Sequence, residues 1–430
     1  MKAGAGERMM TLATELFPIC RSITGDGVRQ TLREVASRIP LDVHEVETGT
    51  QVLDWIVPDE WNIRDAYISD RGGKRIVDFR ESNLHVVSYS EPVRTDMALA
   101  ELRSHLHTLP ERPDWIPYRT SYYERTWGFC LPHRTLDDLE DETYEVVIDS
   151  TLEPGTLTYG ECVLPGEIDD EVLLTTHVCH PSLANDNLSG LALLTELGEK
   201  LVAAGRRRLS YRLLFIPGTI GSITWLARNE RHLASVVAGL VIACVGDRAP
   251  LTYKRSRRGN ASIDRAAAHV LAYRDGDGRV IDFVPWGWDE RQFNSPGYDL
   301  PVGSLSRSRE GEYEEYHSSA DNLDLMSTEQ LEDALEVVLA VLDVLEGDRR
   351  YVNTSPRGEP QLGRRGLYPG IGGGDPAVEQ LAMLWLLNGS DGDASVLDVA
   401  ERSGIPFPVL DTCAQRLVDA GLLAESESLE

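Results

Sequence analysis

Long apolar runs are missing from this 430-residue chain: no stretch approaches the roughly 20 residues that span a bilayer. The opening residues, Met1-Lys-Ala-Gly-Ala-Gly-Glu7, also lack the apolar region of a signal peptide. A cytoplasmic protein without membrane contact is therefore expected. Lysine is nearly absent, confined to Lys2, Lys74, Lys200 and Lys254, so arginine carries most of the basic charge. That charge is itself scarce, with 42 Lys and Arg against 70 Asp and Glu. A net charge of -28 argues against nucleic acid and anionic membranes as partners. The six cysteines (Cys20, Cys130, Cys162, Cys179, Cys244, Cys413) form no C-x-x-C pair, which suits reduced thiols rather than a disulfide framework. What is present, 42% hydrophobic and 26% charged residues, is the composition of a globular protein long enough for two or three domains.

Residues 7–20 and Val28–Ile39 carry apolar side chains at helical spacing, and Leu41–Val46 alternates like a strand. From 48 to 140, Gly, Pro, Trp and Tyr punctuate short β-like runs such as Val52–Val57, Asp65–Ser69, Arg75–Asp78 and Leu84–Ser88, with a helix at Met97–His107. The aromatic cluster Trp115, Tyr118, Tyr122, Tyr123, Trp127 and Phe129 reads as packing, with some members available to wall a pocket. Residues 141–350 return to strands alternating with helices, starting with a strand at Tyr144–Ile148, which implies a mostly parallel sheet covered on both faces. The fold expected is α/β: residues 1–47 and 141–350 as the α/β domain, 48–140 as an inserted mainly β domain, 351–375 as a linker, and 376–430 as a winged-helix-like domain. Beyond residue 376 only Arg402 and Arg416 are basic, against ten acids, so packing or protein interaction is expected of this last part rather than DNA reading.

The rest of the chain is organised around residues 172–190. Val172–Thr176 reads as a strand buried on both faces. It ends in His177-Val-Cys179-His180, then Asn185-Asp186-Asn187-Leu-Ser-Gly190, and Leu191–Ala204 follows at helical spacing. In open α/β sheets, ligands bind beyond the carboxyl ends of the strands. Imidazole and carboxylate are the usual ligands of zinc and similar ions. The same residues would also suit a strand end and a capping turn. A second polar stretch, Trp286 to Asp324, adds Asp289, Glu290, Glu312 and Glu314 around a lone histidine, His317.

This order resembles the zinc-dependent aminopeptidases of the bacterial leucyl-aminopeptidase type, a superfamily that includes glutaminyl cyclases. Their ligand His at a strand end, bridging Asp in an Asn-Asp-Asn-like turn, Ser-Asp segment and final ligand His map onto His177, Asp186, Asp289 with Phe293, and His317 with Asp321. Nearly the whole chain also looks like a little-characterised aminopeptidase-like family with an inserted β domain and a C-terminal winged helix. The carrying phrases include Arg21-Ser-Ile-Thr-Gly-Asp-Gly-Val-Arg29, Trp61-Asn-Ile-Arg-Asp-Ala-Tyr67, Asp289-Glu-Arg-Gln-Phe293 and Glu315-Tyr-His-Ser-Ser-Ala-Asp-Asn-Leu-Asp324. The resemblance implies a zinc-peptidase-like α/β domain acting on a small peptide or amide, with an accessory role in small-molecule or polysaccharide biosynthesis. Zinc is expected and, because two motifs depart from the family pattern, one ion rather than two, held by His177, Asp186 and His317. Asp247 and His180 are further candidates as ligands, and Cys179 a weaker one. His180, Arg291 and Tyr316 are the candidates for substrate contact. Homo-oligomerisation is left open.

Two departures from the family pattern bear on chemistry. The turn that supplies a Glu general base in the metallopeptidases reads Pro217-Gly218-Thr219 here, and Gly218 has no side chain to take a proton. The strand that normally carries a ligand Asp reads Ala243-Cys244-Val245-Gly246, with Asp247 displaced beyond it. Either catalysis is weakened or the base is relocated, with Glu290, Glu312 and Glu314 the candidates for relocation and Asp289 a further catalytic candidate. The alternative is an idle relative that binds a ligand or partner without catalysis.

Overall fold

A computed structural model describes residues 4–274, 276–367 and 376–426. In chain order its main helices are α1 (Ala5–Leu16), α2 (Asp26–Ala36), α3 (Gly190–Ala204), α4 (Ile220–Asn229), α5 (Ser262–Tyr273), α6 (Thr328–Gly347), α7 (Pro376–Gly389), α8 (Val396–Ser403) and α9 (Phe407–Asp419). The strands that matter are β1 (Asp42–Glu47), β2 (Glu60–Ser69), β3 (Arg75–Asp78), β4 (Val93–Ala98), β5 (Thr143–Glu153), β6 (Thr156–Leu164), β7 (Glu171–His177), β8 (Ser210–Ile216), β9 (Val236–Ile242), β10 (Leu251–Lys254), β11 (Gly278–Ile281), β12 (Val302–Ser306), β13 (Arg350–Asn353), β14 (Asp391–Ser395) and β15 (Leu423–Glu425).

An eight-stranded sheet runs in the order β1-β6-β8-β7-β9-β12-β10-β11. Its centre is parallel, with β7 paired to β8 on one side and β9 on the other, and β9 paired to β12. Toward one edge β1, β6 and β8 pair antiparallel, and β10 pairs antiparallel with β12 on the other side. Every residue of β7 is buried, as the unbroken apolar run requires of a central parallel strand. The carboxyl ends of β7, β8 and β9 thus lie side by side, which fixes where a site can form.

A four-stranded sheet, β3-β2-β5-β4, carries the inserted part. The strand expected at Tyr144–Ile148 belongs here: β5 pairs with β2 and β4, not with the parallel sheet. Its alternation is real, but alternation does not name a strand's neighbours. Only the turn at Pro154-Gly155 separates β5 from β6, so this ribbon passes directly from the small sheet to the large one. The run at Leu84–Ser88 is a short 3-10 turn (Asn83–His85) with extended flanks, and the helix expected at Met97–His107 shrinks to Leu99–Leu102 after β4.

Contacts divide the described residues into two compact units, one holding residues up to 261 with 279–335, the other 262–278 with 336 onward. In the second unit α7, α8 and α9 pack with a three-stranded antiparallel sheet in the order β14-β13-β15. Ser395 caps α8 through a capping box with Asp398, and Gly404, at φ 70°, ends it in the left-handed conformation glycine tolerates. β13 opens the segment expected to be a linker, and part of that segment (368–375) lies outside the described residues. Helix α5, read from sequence as part of the α/β domain, sits in this second unit. Arg265 pairs with Asp398 and Glu401, and the Phe407 N–H donates to His269 Nε2. Among the described residues no helix is long and apolar enough to cross a membrane.

Candidate metal centre

β7 delivers His177 at its last residue, and the loop before α3 returns Asp186 beneath it. The loop's shape follows from its polar side chains. Asn187 Nδ2 donates to Thr176 Oγ1 (2.8 Å) and to the His177 carbonyl (3.1 Å), and Asn187 Oδ1 accepts the Cys244 N–H at 3.1 Å. Asn185 Oδ1 accepts the Gly246 N–H (2.9 Å), and Ser189 Oγ accepts that of Val245 (3.0 Å). The Asn-Asp-Asn-x-Ser run therefore staples the end of β7 to the segment that follows β9. Asp321 completes the cradle by accepting the backbone N–H groups of Asn185 (2.6 Å) and Asp186 (3.0 Å).

So held, Asp186 is fully buried and surrounded by imidazoles. His177 Nε2 lies 2.8 Å and His180 Nδ1 3.4 Å from its Oδ1, while His317 Nε2 lies 3.1 Å from its Oδ2. His177 Nε2 and His180 Nδ1 face each other at 3.1 Å. Burial opposes ionisation of Asp186, but the charge of His180 and the hydrogen bonds of all three histidines outweigh it, so the carboxyl sits well below its ordinary range. Ligand atoms of His177, His180 and Asp186 all fall within 4.8 Å of one another, a donor set that fits a borderline dication such as zinc.

Aromatic rings fix the histidines. Tyr118 sets its edge against both His180 and His317, and its N–H donates to the His317 carbonyl at 2.7 Å. Tyr316 stacks on His317 with centroids 3.9 Å apart. His317 adopts φ 54°, a left-handed conformation that costs a β-carbon residue about 1 kcal/mol and persists where surroundings hold it. Arg21, buried, donates Nε to the His180 carbonyl at 2.9 Å.

A pocket of about 300 Å³ opens beside this cluster, lined by His177, His180, Gly218, Trp288, Asp289 and Arg291 among others. Tyr122 and Tyr123 line it as well, so part of the aromatic cluster does wall a cavity. Asp289 is 1% exposed. Ser222 Oγ donates to its Oδ1 at 2.7 Å, and its Oδ2 has no partner. Burial pushes this carboxyl up to about 6, against the pull of Ser222 and Arg291. Gly218 is the reason it fits: a Cβ at 218 would lie 3.3 Å from Asp289 Oδ2 and 3.3 Å from His177 Cβ, tighter than most real contacts.

The other sequence candidates go elsewhere. Asp247 stands outside the cluster because its oxygens are taken by Asn185 Nδ2 (2.7 Å) and by the N–H groups of Ala249 and Ser308. Glu290 is buried in an ion pair with Lys254, a strand residue distant in sequence. Glu312 is exposed and pairs with Arg309, and Glu314 pairs with Arg112, so neither reaches the pocket. Cys179 points its thiol at the Gly218 carbonyl, and burial pushes it up to about 12. Sequence reasoning named Tyr118 only within the aromatic cluster, gave Ser222 and Trp288 no individual role, and named Asp321 only within a motif. The spacing of Asp321 four residues after His317 was the available signal.

Comparison with known proteins shows the family and the fold. Residues 10–348 match a family described as a domain of unknown function (DUF4910), and residues 349–425 match a winged helix-turn-helix family. A Clostridium acetobutylicum protein provisionally named for polysaccharide biosynthesis and an aminopeptidase-like domain is 51% identical over 97% of this chain and 96% of its own length. A crystal structure from the same organism, provisionally described as a peptidase, superposes with a TM-score of 0.93 at 49% identity, covering 98% of this chain and 96% of that one. A zinc aminopeptidase from Bacillus subtilis shares the fold at 13% identity, with a TM-score of 0.57 over 79% of this chain and 93% of its own.

Proposed function

The chain belongs to the DUF4910 family of aminopeptidase-like fold, here joined to a winged helix, and we propose that it is a metal-dependent hydrolase of a small peptide or amide. The observation that carries this reading is the buried Asp186 ringed by His177, His180 and His317 at the mouth of a pocket. Zinc is the ion proposed, on the chemistry of the donor set and on the description of the B. subtilis neighbour. One ion is favoured over two because the carboxylates a second would need are not available: position 218 is glycine, and Asp247 is occupied by Asn185.

His177, His180, Asp186 and His317 would hold the ion, which would supply Lewis-acid polarisation of an amide carbonyl. The protein's own work is then positioning and proton handling. Asp321 fixes the Asp186 backbone, and Tyr118 and Tyr316 fix the histidine planes. Asp289 Oδ2, buried and free, is the proposed proton carrier in place of the missing glutamate. A carboxyl near 6 is well matched to taking a proton at neutral pH and returning it to the leaving amine. The test is hydrolysis of a panel of small amides by wild type and His317→Ala, before and after chelation and zinc re-addition. Activity lost on chelation, restored by zinc and absent in the variant supports the reading, and activity indifferent to chelation contradicts it.

A second reading, an idle relative that only binds, rests on Gly218. If Gly218→Glu strongly raises amide hydrolysis, the wild-type chain has lost its base. If hydrolysis is unchanged, the base lies elsewhere than position 218 or the site does other chemistry.

A further inference from the structure

Three of the four positions from 288 to 291 in the pocket wall carry enclosed polar atoms with no partner among the described residues: Trp288 Nε1, Asp289 Oδ2 and Arg291 Nε. Orphaned buried donors are uncommon and costly, on the order of 1–3 kcal/mol each, and in a pocket they mark where a ligand supplies the missing acceptor. Two of the three are N–H donors. Trp288 is 8% exposed, and its indole N–H has no acceptor. Arg291 is half-buried and makes no ion pair among the described residues. Its guanidinium carbon lies 5.8 Å from the Trp286 ring, a contact that uses none of its N–H groups. Among the pocket-lining residues, histidines aside, Arg291 is the cation. Of the nearby acids, Glu290 is committed to Lys254, position 218 carries no carboxylate, and Asp289 feels the Arg291 charge without forming an ion pair with it among the described residues.

We infer that Trp288 and Arg291 receive a carboxylate of the substrate, so that the amide cleaved here belongs to an acidic molecule rather than one presenting a free amino terminus. Two carboxylate oxygens match the two kinds of N–H donor, and guanidinium is suited to the planar anion. An ammonium group would meet unpaired donors and a like charge instead, which a pocket selecting free amino termini would avoid. Asp289 does not reverse this balance. Its Oδ1 is held by Ser222, and among the described residues it makes no ion pair with Arg291.

This inference deepens the hydrolase reading and rests on it for the metal that anchors the probes. Zinc-loaded protein would be titrated calorimetrically with succinate monohydroxamate, butyrohydroxamate and glycine hydroxamate, which share a metal-binding head and differ in the charge of the tail. The carboxylated probe should bind about 10–100-fold more tightly than the neutral one, the worth of a charge-assisted hydrogen bond. Arg291→Gln should erase that preference without weakening butyrohydroxamate, and Trp288→Phe, which keeps the ring and removes the N–H, should reduce it several-fold. Equal binding of the first two probes, tighter binding of the amine, or no binding of any would overturn the inference. Failure of the hydrolase reading alone would look different: an Arg291-dependent preference for the carboxylated probe in a protein that cleaves no amide.

Discussion

The two walls of the pocket are built on opposite terms. On the histidine wall the groups around the proposed ion are satisfied: Asp186 by three imidazoles, its backbone by Asp321, the flanking asparagines by the ends of β7 and β9. On the facing wall, Trp288, Asp289 and Arg291 each keep an enclosed polar atom without a partner. The first wall costs the fold little once formed, because the network around Asp186 is complete. The second costs stability, and such costs collect where a ligand or a proton is to be handled. The contrast separates holding an ion from acting on a substrate.

The largest effect that would sharpen this contrast is expected at Asp289. Asp289→Asn should lower amide hydrolysis about 10²–10⁴-fold, the usual share of a positioned base, while zinc content stays at the wild-type level. Loss of zinc along with activity would break the division between the walls. The same substitution should stabilise protein stripped of metal. The Asp289 carboxyl is raised by burial to about 6 in the folded chain, from an ordinary 3.8. The folded state therefore binds more protons between those values, and stability falls as pH rises through that window. Asn removes the slope and should gain on the order of 2 kcal/mol above pH 7, read by denaturant unfolding across pH 4–8.

On the histidine wall, Asp321→Asn keeps the shape but leaves one of two backbone N–H groups without its acceptor. Zinc affinity should fall about 10–100-fold, measured by competition with a chelator, and activity should return at high zinc. Next comes the seam between the walls. Gly218→Ala pushes a methyl to 3.3 Å from both Asp289 Oδ2 and His177 Cβ. A displacement of a few tenths of an ångström at the reacting group should cost up to about tenfold in kcat with little change in zinc content.

The smallest effect serves as a control remote from both walls. Glu60 pairs with Arg29 of α2, and hydrogen bonds from Arg29, Thr156 and Asn62 outweigh burial to hold its carboxyl at about 2. Its contribution is present above the ordinary carboxylate range and is lost as pH falls toward 2. Glu60→Gln should cost about 1 kcal/mol at pH 7, less near pH 3, and leave zinc and activity unchanged.

The same contrast explains what could be read from the sequence. The strand–loop–helix from β7 to α3 was legible because a central parallel strand needs an unbroken apolar run and the histidine wall uses a fixed local spacing. His177, Asp186 and His180 lie within ten residues of one another, and only His317 comes from afar. The facing wall was harder. Asp289, Glu290, Glu312 and Glu314 look alike in sequence, and what separates them is Lys254, Arg309, Arg112 and Ser222, partners that only the fold supplies. Asp247 was misleading for the same reason, since Asn185 claims it across the sheet ends. β5 and α5 show the limit at the level of topology: their periodicity was plain, but periodicity carries no address.

The most direct test of the account is the zinc content of purified protein by elemental mass spectrometry, measured for wild type, His177→Ala, His317→Ala and Asp289→Asn. The account predicts about one zinc per chain in wild type and Asp289→Asn, and a marked loss in both histidine variants. A wild-type protein that binds no zinc even when it is supplied, or histidine variants that keep it, would contradict the account.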